Sequence, residues 1–155
     1  MKVAVACDHA GFPLKEIVFD TIRKAGHQVL DLGTDSTAPV DYPDMAEKAG
    51  RAIQNQEAER GIVLCGSGVG AALAANKMIG VRAGVCHDTY SAHQCVEHDN
   101  VNVLALGARV IGPDLAVEIV RAFLAAKFTG EERHLRRVNK ILAIERSEAS
   151  RKQGA

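Results

Sequence analysis

The sequence predicts an α/β protein built on a five-stranded, parallel, doubly wound sheet. Short valine-rich apolar runs recur along the chain: "KVAVAC", "QVLDL", "GIVLC", "VRAGVC" and "VNVLALG". Segments with helical apolar spacing separate them, and strand alternating with helix implies parallel strands covered on both faces. The 155 residues, 47% hydrophobic and 25% charged, suit one soluble domain with a substantial core.

The first strand ends at Cys7 and passes through "DHAGF" to a helix that follows Phe12-Pro13, proline being well suited to an early helical position. Leu14, Ile17, Val18, Thr21 and Ile22 share one stripe of that helix, and Gly26 stops it. After "QVLDL", the turn formers of "GTDSTAPVDYP" make a loop before a helix expected from about Asp44 to Arg60. "GIVLC" leads into a glycine loop and a third helix, late in which Asn76 reads equally as a C-terminal stop or a site residue. "GPDLAVEIVRAFLAAKF" carries an apolar stripe, and a last helix is expected from about Glu131 to Glu145. Its apolar Val138, Ile141, Leu142 and Ile144 suit packing on its own domain or across a dimer. Residues 1–145 read as a single domain, with 146–155 as a polar tail expected to fray. A strand order 2-1-3-4-5 follows, with ligand outside the carboxyl ends of the strands, at the switch point between strands 1 and 3.

Composition narrows the function. Lys plus Arg and Asp plus Glu both number 19, so no excess of positive charge is available for a phosphate backbone, and nucleic acid is a poor candidate partner. The opening "MKVAVACDHAG" has too short an apolar run for a secretory segment, and no membrane span is expected, which places the protein in the cytoplasm. Cys7, Cys65, Cys86 and Cys95 are scattered and expected to stay reduced. Cys86, His87, His93, Cys95 and His98 crowd together, yet they lack the paired spacing of structural zinc sites, so no metal is expected.

The loops bounding the switch point are "CDHAGF" and "CGSGVG". A dinucleotide fingerprint needs its glycines at the first strand-to-helix turn, which here reads Asp8-His9-Ala10-Gly11. A cysteine phosphatase needs arginine six residues after its nucleophile, but those positions hold Ala71 and Pro13. A phosphoacceptor receiver needs aspartate where Cys65 stands. There remains a cradle of backbone N–H groups from Ser67 to Ala71, suited to a phosphate or a developing oxyanion. Cys65 beside it is placed to act as a thiolate base, and a base beside an oxyanion hole suits proton abstraction next to a carbonyl. Asp8 either caps the first helix or serves as acid or base with His9. His98 precedes strand 5, at the opposite sheet end, and reads as an acid or as a surface histidine. Arg133 and Arg137 share a helix face, which suits either a phosphate clamp or a solvated basic surface. Tyr42 is a lid or a packing aromatic.

Taken together, "CDHAGFPLK", "DYPD", "VLCGSGVGAALAANK", "GVRAGVCHDTYSA", "HDNVNVLALGARVIG" and "RHLRRVNKI" resemble the type B ribose-5-phosphate isomerase family, from Lys2 to about Glu145. The resemblance implies interconversion of D-ribose 5-phosphate and D-ribulose 5-phosphate, a step of the pentose phosphate pathway, through a cis-enediolate and without cofactor. It makes Cys65 the base between C1 and C2 and Ser67 its helper, with the amides of Gly66, Ser67, Gly68, Val69 and Gly70 holding the enediolate. Tyr42 joins the substrate contacts. His98 opens the sugar ring, assisted by Asp8, while His9, Arg133 and Arg137 grip phosphate and Arg109 supports phosphate or a subunit contact. The family forms dimers whose His98 and terminal arginines serve the neighbouring subunit's site, so a homodimer, or a tetramer built from it, is implied. Some members use a carboxylate in the next helix instead of the thiol, but Gly70 and Ala71 offer none here. One departure stands out: Asp99 occupies a position where the family commonly has asparagine, and an ionised carboxylate only accepts hydrogen bonds. The same chemistry on allose 6-phosphate, galactose 6-phosphate or a tetrulose phosphate is therefore the alternative.

Overall fold

The structure, a computed structural model, describes residues 1–151. From β1 (Lys2–Cys7) the chain passes through a 3-10 turn (Phe12–Leu14) to α1 (Lys15–Lys24), β2 (Gln28–Asp31), α2 (Tyr42–Gln54) and β3 (Arg60–Cys65). It continues through α3 (Val69–Ala75), β4 (Ala83–Val85), α4 (Thr89–Asp99), β5 (Val103–Gly107), α5 (Pro113–Ala125) and α6 (Glu132–Arg151). All strand pairs are parallel, in the order β2-β1-β3-β5-β4.

Successive strand residues face opposite sides, so the sheet sorts its own side chains into two cores. Val3, Val5 and Cys7, with Ile62, Leu64, Leu104 and Leu106, face the larger apolar residues of α1, α4 and α5. Ala6, Val63, Cys65 and Ala105 face α2 and α3 through Ala46, Ala49, Ala71, Ala72 and Ala75. Alanine lets helices approach closely, since interaxial distance follows side-chain size. The α2–α3 layer is therefore thin, and Cys65 belongs to it.

The expected order 2-1-3-4-5 is corrected in its last two strands. All five residues of β5 are buried, which demands a neighbour on each side. The three-residue β4, with Val85 exposed, tolerates an edge. The switch point between β1 and β3 is unaffected. Asn76 ends α3 and bridges to β4: its side chain donates to the Ala83 carbonyl (2.8 Å) and accepts from the Ala83 N–H (2.7 Å).

Helix α2 begins at Tyr42 and stops at Gln54, short of the expected Arg60, because Asn55 and a left-handed Gln56 (φ 59°) turn the chain and Arg60 opens β3. At the other end, α6 runs beyond Glu145 to Arg151, so residues 146–151 of the expected frayed tail are helical and the rest lie outside the described residues. Only its His134 and Val138 are buried, leaving Leu135, Ile141 and Ile144 exposed. Among the described residues no helix is long and apolar enough to cross a membrane.

One buried charge shapes the loop after β2. The Lys15 ammonium donates to the Thr34 carbonyl (2.8 Å) and pairs with Asp31 (2.8 Å). A buried lysine holds its charge only with such partners. The pair anchors the start of the loop that goes on to carry Val40 and Tyr42 to the strand ends.

Candidate active site

Where the loops after β1 and β3 part, they bound a cleft of about 530 Å³ at the carboxyl end of the sheet. Asp8, His9, Tyr42, Cys65, Gly66, Ser67, Val69, Gly70 and Arg109 all line it. Asp8 is 5% exposed and its Oδ1 accepts from the Gly11 N–H (2.8 Å). That bond closes the turn after β1 and is not the expected cap of the first helix, whose N-cap is Leu14 with no side-chain acceptor, while the same carboxylate lines the cleft. Gly11 is required by close approach: a Cβ there would stand 2.2 Å from the Leu64 carbonyl oxygen, so only glycine lets the loop lie on β3. His9 Nδ1 accepts from the Val40 N–H (3.2 Å), which joins the first loop to the segment leading into α2.

Cys65 ends β3 and is 4% exposed. Its Sγ accepts from the Gly68 N–H (3.1 Å), a bond made possible by the left-handed Gly68 (φ +80°). The Ser67 hydroxyl is exposed and accepts from the Val69 N–H (3.3 Å). Gly70 lies under the Tyr42 ring, which a Cβ would meet at 2.7 Å, so Tyr42 forms a wall packed on the glycine loop. The Arg109 side chain lies over Gly66. Leu73 and Val110 complete the lining with exposed apolar side chains that no chemical motif announced.

The other thiols have different surroundings. Burial pushes Cys7 up to about 11, against the pull of Lys15, so it is a thiol at neutral pH. The sulfurs of Cys86 and Cys95, both buried, are 3.8 Å apart. Among the described residues no group of three or more His, Cys, Asp or Glu side chains is arranged to hold a metal ion.

His98, Asp99, Arg133 and Arg137 are not in this cleft. His98 and Asp99 close α4 just before β5 begins, which puts them at the amino end of the sheet. The His98 ring stacks on His134 at 4.0 Å and 18°, and its Nδ1 is 2.9 Å from the Gln94 side-chain amide. Arg133 donates to Glu131 (3.0 Å), and Arg137 is exposed on the same helix. The expected site residues therefore form two groups at opposite ends of the protomer.

His134 was not among the expected site residues. It is 2% exposed, and neither ring nitrogen has a hydrogen-bond partner. Burial first, then the neighbouring His98 and Arg133, holds it below the usual histidine range. As pH falls below about 6.5 the unfolded chain takes up a proton that folded His134 refuses, so stability is lost on acidification until the depressed folded value is passed. Thermal melts from about pH 7.5 down to about pH 5.5 should show this loss, and His134→Leu should flatten the slope. An unchanged slope would show that the ring titrates freely.

A thiol and an amide cradle at the switch point, faced by a carboxylate and an imidazole, define an α/β enzyme equipped to move protons on a small molecule. The model of the Ribose/Galactose Isomerase family matches residues 3–141, and the chain belongs to that family. It is 45% identical over 144 residues to ribose-5-phosphate isomerase B of Escherichia coli, covering 93% of this chain and 96% of that protein. It is also 45% identical over 132 residues to D-erythrulose-4-phosphate isomerase of Pectobacterium atrosepticum, covering 84% and 86%. Ribose-5-phosphate isomerase B of Clostridium thermocellum superposes with a TM-score of 0.92 at 46% identity, covering 96% of this chain and 99% of that one. The Mycoplasma genitalium enzyme, solved with bound ribulose-5-phosphate, superposes with a TM-score of 0.87 at 37% identity, covering 94% and 96%.

Proposed function

We propose that the chain interconverts D-ribose 5-phosphate and D-ribulose 5-phosphate by proton transfer through a cis-enediolate. The observation that carries this reading is Cys65 at the end of β3, facing a cleft with its Sγ accepting at 3.1 Å from the Gly68 amide within the glycine cradle. In the open-chain aldose, the Cys65 thiolate removes the proton on C2, and the C2 electrons form the enediolate double bond as charge moves onto O1. The amides of Gly66 to Gly70 hold those oxygens, where preorganised donors act on the developing charge. Ser67 moves the proton between O1 and O2. The thiol then returns its proton to C1, giving the ketose. Asp8 assists opening of the furanose, and His9 and Arg109 meet the phosphate end.

Ring opening and the rest of the phosphate grip come from a second copy in this reading. His98, Arg133 and Arg137 lie at the far end of their own protomer, so they act on a site belonging to a dimer partner. The exposed Ile141 and Ile144, one turn apart on α6, supply apolar surface for that association.

A second reading keeps the chemistry and changes the sugar. Asp99 puts a carboxylate beside the ring-opening histidine, and the Pectobacterium relative is named for a tetrulose phosphate. Initial rates of the purified protein with ribose 5-phosphate, allose 6-phosphate and erythrulose 4-phosphate, without added metal or cofactor, decide between them. Preference for ribose 5-phosphate supports the first reading. Turnover of another sugar with silence on ribose 5-phosphate supports the second.

A further inference from the structure

Gly107, the last residue of β5, has an unusual hydrogen-bond partner. Along β5 alternate residues turn their backbone groups toward β4: the Val103 N–H donates to the Arg82 carbonyl (3.1 Å), and the Ala105 carbonyl accepts from the Cys86 N–H (3.4 Å). The same two-residue step aims the Gly107 N–H at the place where β4 would continue. There the chain leaves the sheet, because Asp88 caps α4 by accepting from the Ser91 N–H (2.6 Å). The side chain of His87 fills the gap, its Nε2 accepting from the Gly107 N–H (3.0 Å). A backbone N–H only donates, so this ring is the neutral tautomer with its proton on Nδ1.

The peptide held in this way is the floor of the amide cradle. A Cβ on Gly107 would stand 2.5 Å from the Ser67 carbonyl carbon, and one on Gly68 would stand 3.3 Å from the Gly107 nitrogen. The neighbouring turn is tied to the same loop, with Ala108 donating to Cys65 (2.9 Å) and Arg109 to Gly66 (3.0 Å). Three contacts thus connect His87 to the thiol: ring to Gly107, Gly107 against Ser67 and Gly68, and the Gly68 N–H on Cys65 Sγ. His87 does not line the cleft.

We infer that His87 is a positioning residue for the reaction, fixing the Leu106–Gly107 peptide on which the Cys65 cradle rests. This rests on the reading of Cys65 and its loop as the catalytic centre. A cradle that shifts misplaces donors aimed at the enediolate more than it weakens binding of the ground-state sugar. The test compares His87→Gln, whose carbonyl oxygen reaches the position of Nε2, with His87→Asn, which is too short, and His87→Leu, which cannot accept. His87→Leu and His87→Asn should lose kcat on the order of 10- to 100-fold, with KM changed less than about threefold and His87→Gln rescuing most of the loss. Amide hydrogen exchange read by mass spectrometry should quicken in residues 66–70 and 106–109 of the Leu and Asn variants, and stay unchanged in β1 and α1. Equal kcat in all variants, or a loss that Gln does not rescue, would overturn the inference. Should the Leu variant fail to fold, the Gln and Asn pair decides alone. Quickened exchange in a protein whose wild type does not isomerise sugar phosphates would instead break the reading of the site while keeping the clamp.

Discussion

A Cys65→Ala protein is expected to lose isomerisation by about 10³-fold or more, the loss that follows removal of a well-placed general base. Its fold should survive. The substitution removes one sulfur from the alanine-lined layer where Ala71, Ala72 and Ala75 already pack, and costs about 1–3 kcal/mol for the buried Gly68 N–H that loses its acceptor. Stoichiometric alkylation gives an independent measure. Iodoacetamide should modify Cys65 in step with the loss of turnover, and sugar phosphate should protect. Cys7, pushed up to about 11 by burial, offers little thiolate at neutral pH, and Cys86 and Cys95 are buried away from the cleft. Peptide mapping identifies the modified thiol. Full activity in Cys65→Ala, or in protein alkylated at that residue, would remove the thiol from the mechanism.

The second large effect concerns the two groups of site residues at opposite ends of the protomer. Cys65→Ala and His98→Asn proteins are each expected to be nearly inactive. Co-refolded in equal amounts, they should recover about a quarter of the wild-type rate, because about half of the dimers are then mixed and each mixed dimer carries one site free of both substitutions. Recovery requires that the two residues act on one sugar from different chains. No recovery, with dimers present by light scattering, would mean that His98 serves another purpose and that ring opening is done by groups within the cleft.

Much of this was legible because the informative residues are local. Cys65 and its glycines stand together in the chain, and the rule that ligands meet a parallel sheet at strand carboxyl ends places them opposite Asp8 and His9 without further information. What was not legible depends on contacts between distant segments. "VRAGVC" and "VNVLALG" both read as valine-rich strands, and nothing local in either tells which lies between two neighbours. The answer came from the full burial of Val103–Gly107 against the three-residue β4. The end of α2 depends on Gln56 in a left-handed conformation that glutamine seldom adopts, so composition gave no stop signal there. His134 sits among the charged residues of "EERHLRR", and its burial arises only because α6 lays it against His98 of α4. His87 was weighed as a metal ligand and set aside for want of paired spacing, and its place at the end of β4, where a side chain stands in for a missing strand residue, has no motif.

The edge of the sheet has a bearing on how this protein keeps company with copies of itself. An open strand edge is a template on which another chain can pair, the usual start of sheet-to-sheet growth. In β4 only Ala83 and Val85 turn their backbone groups outward, by the alternation that turns Gly84 and Cys86 toward β5. Asn76 already occupies both groups of Ala83, as a peptide of a sixth strand would. A newcomer would find a single residue to pair with. Self-association at this edge is thereby discouraged.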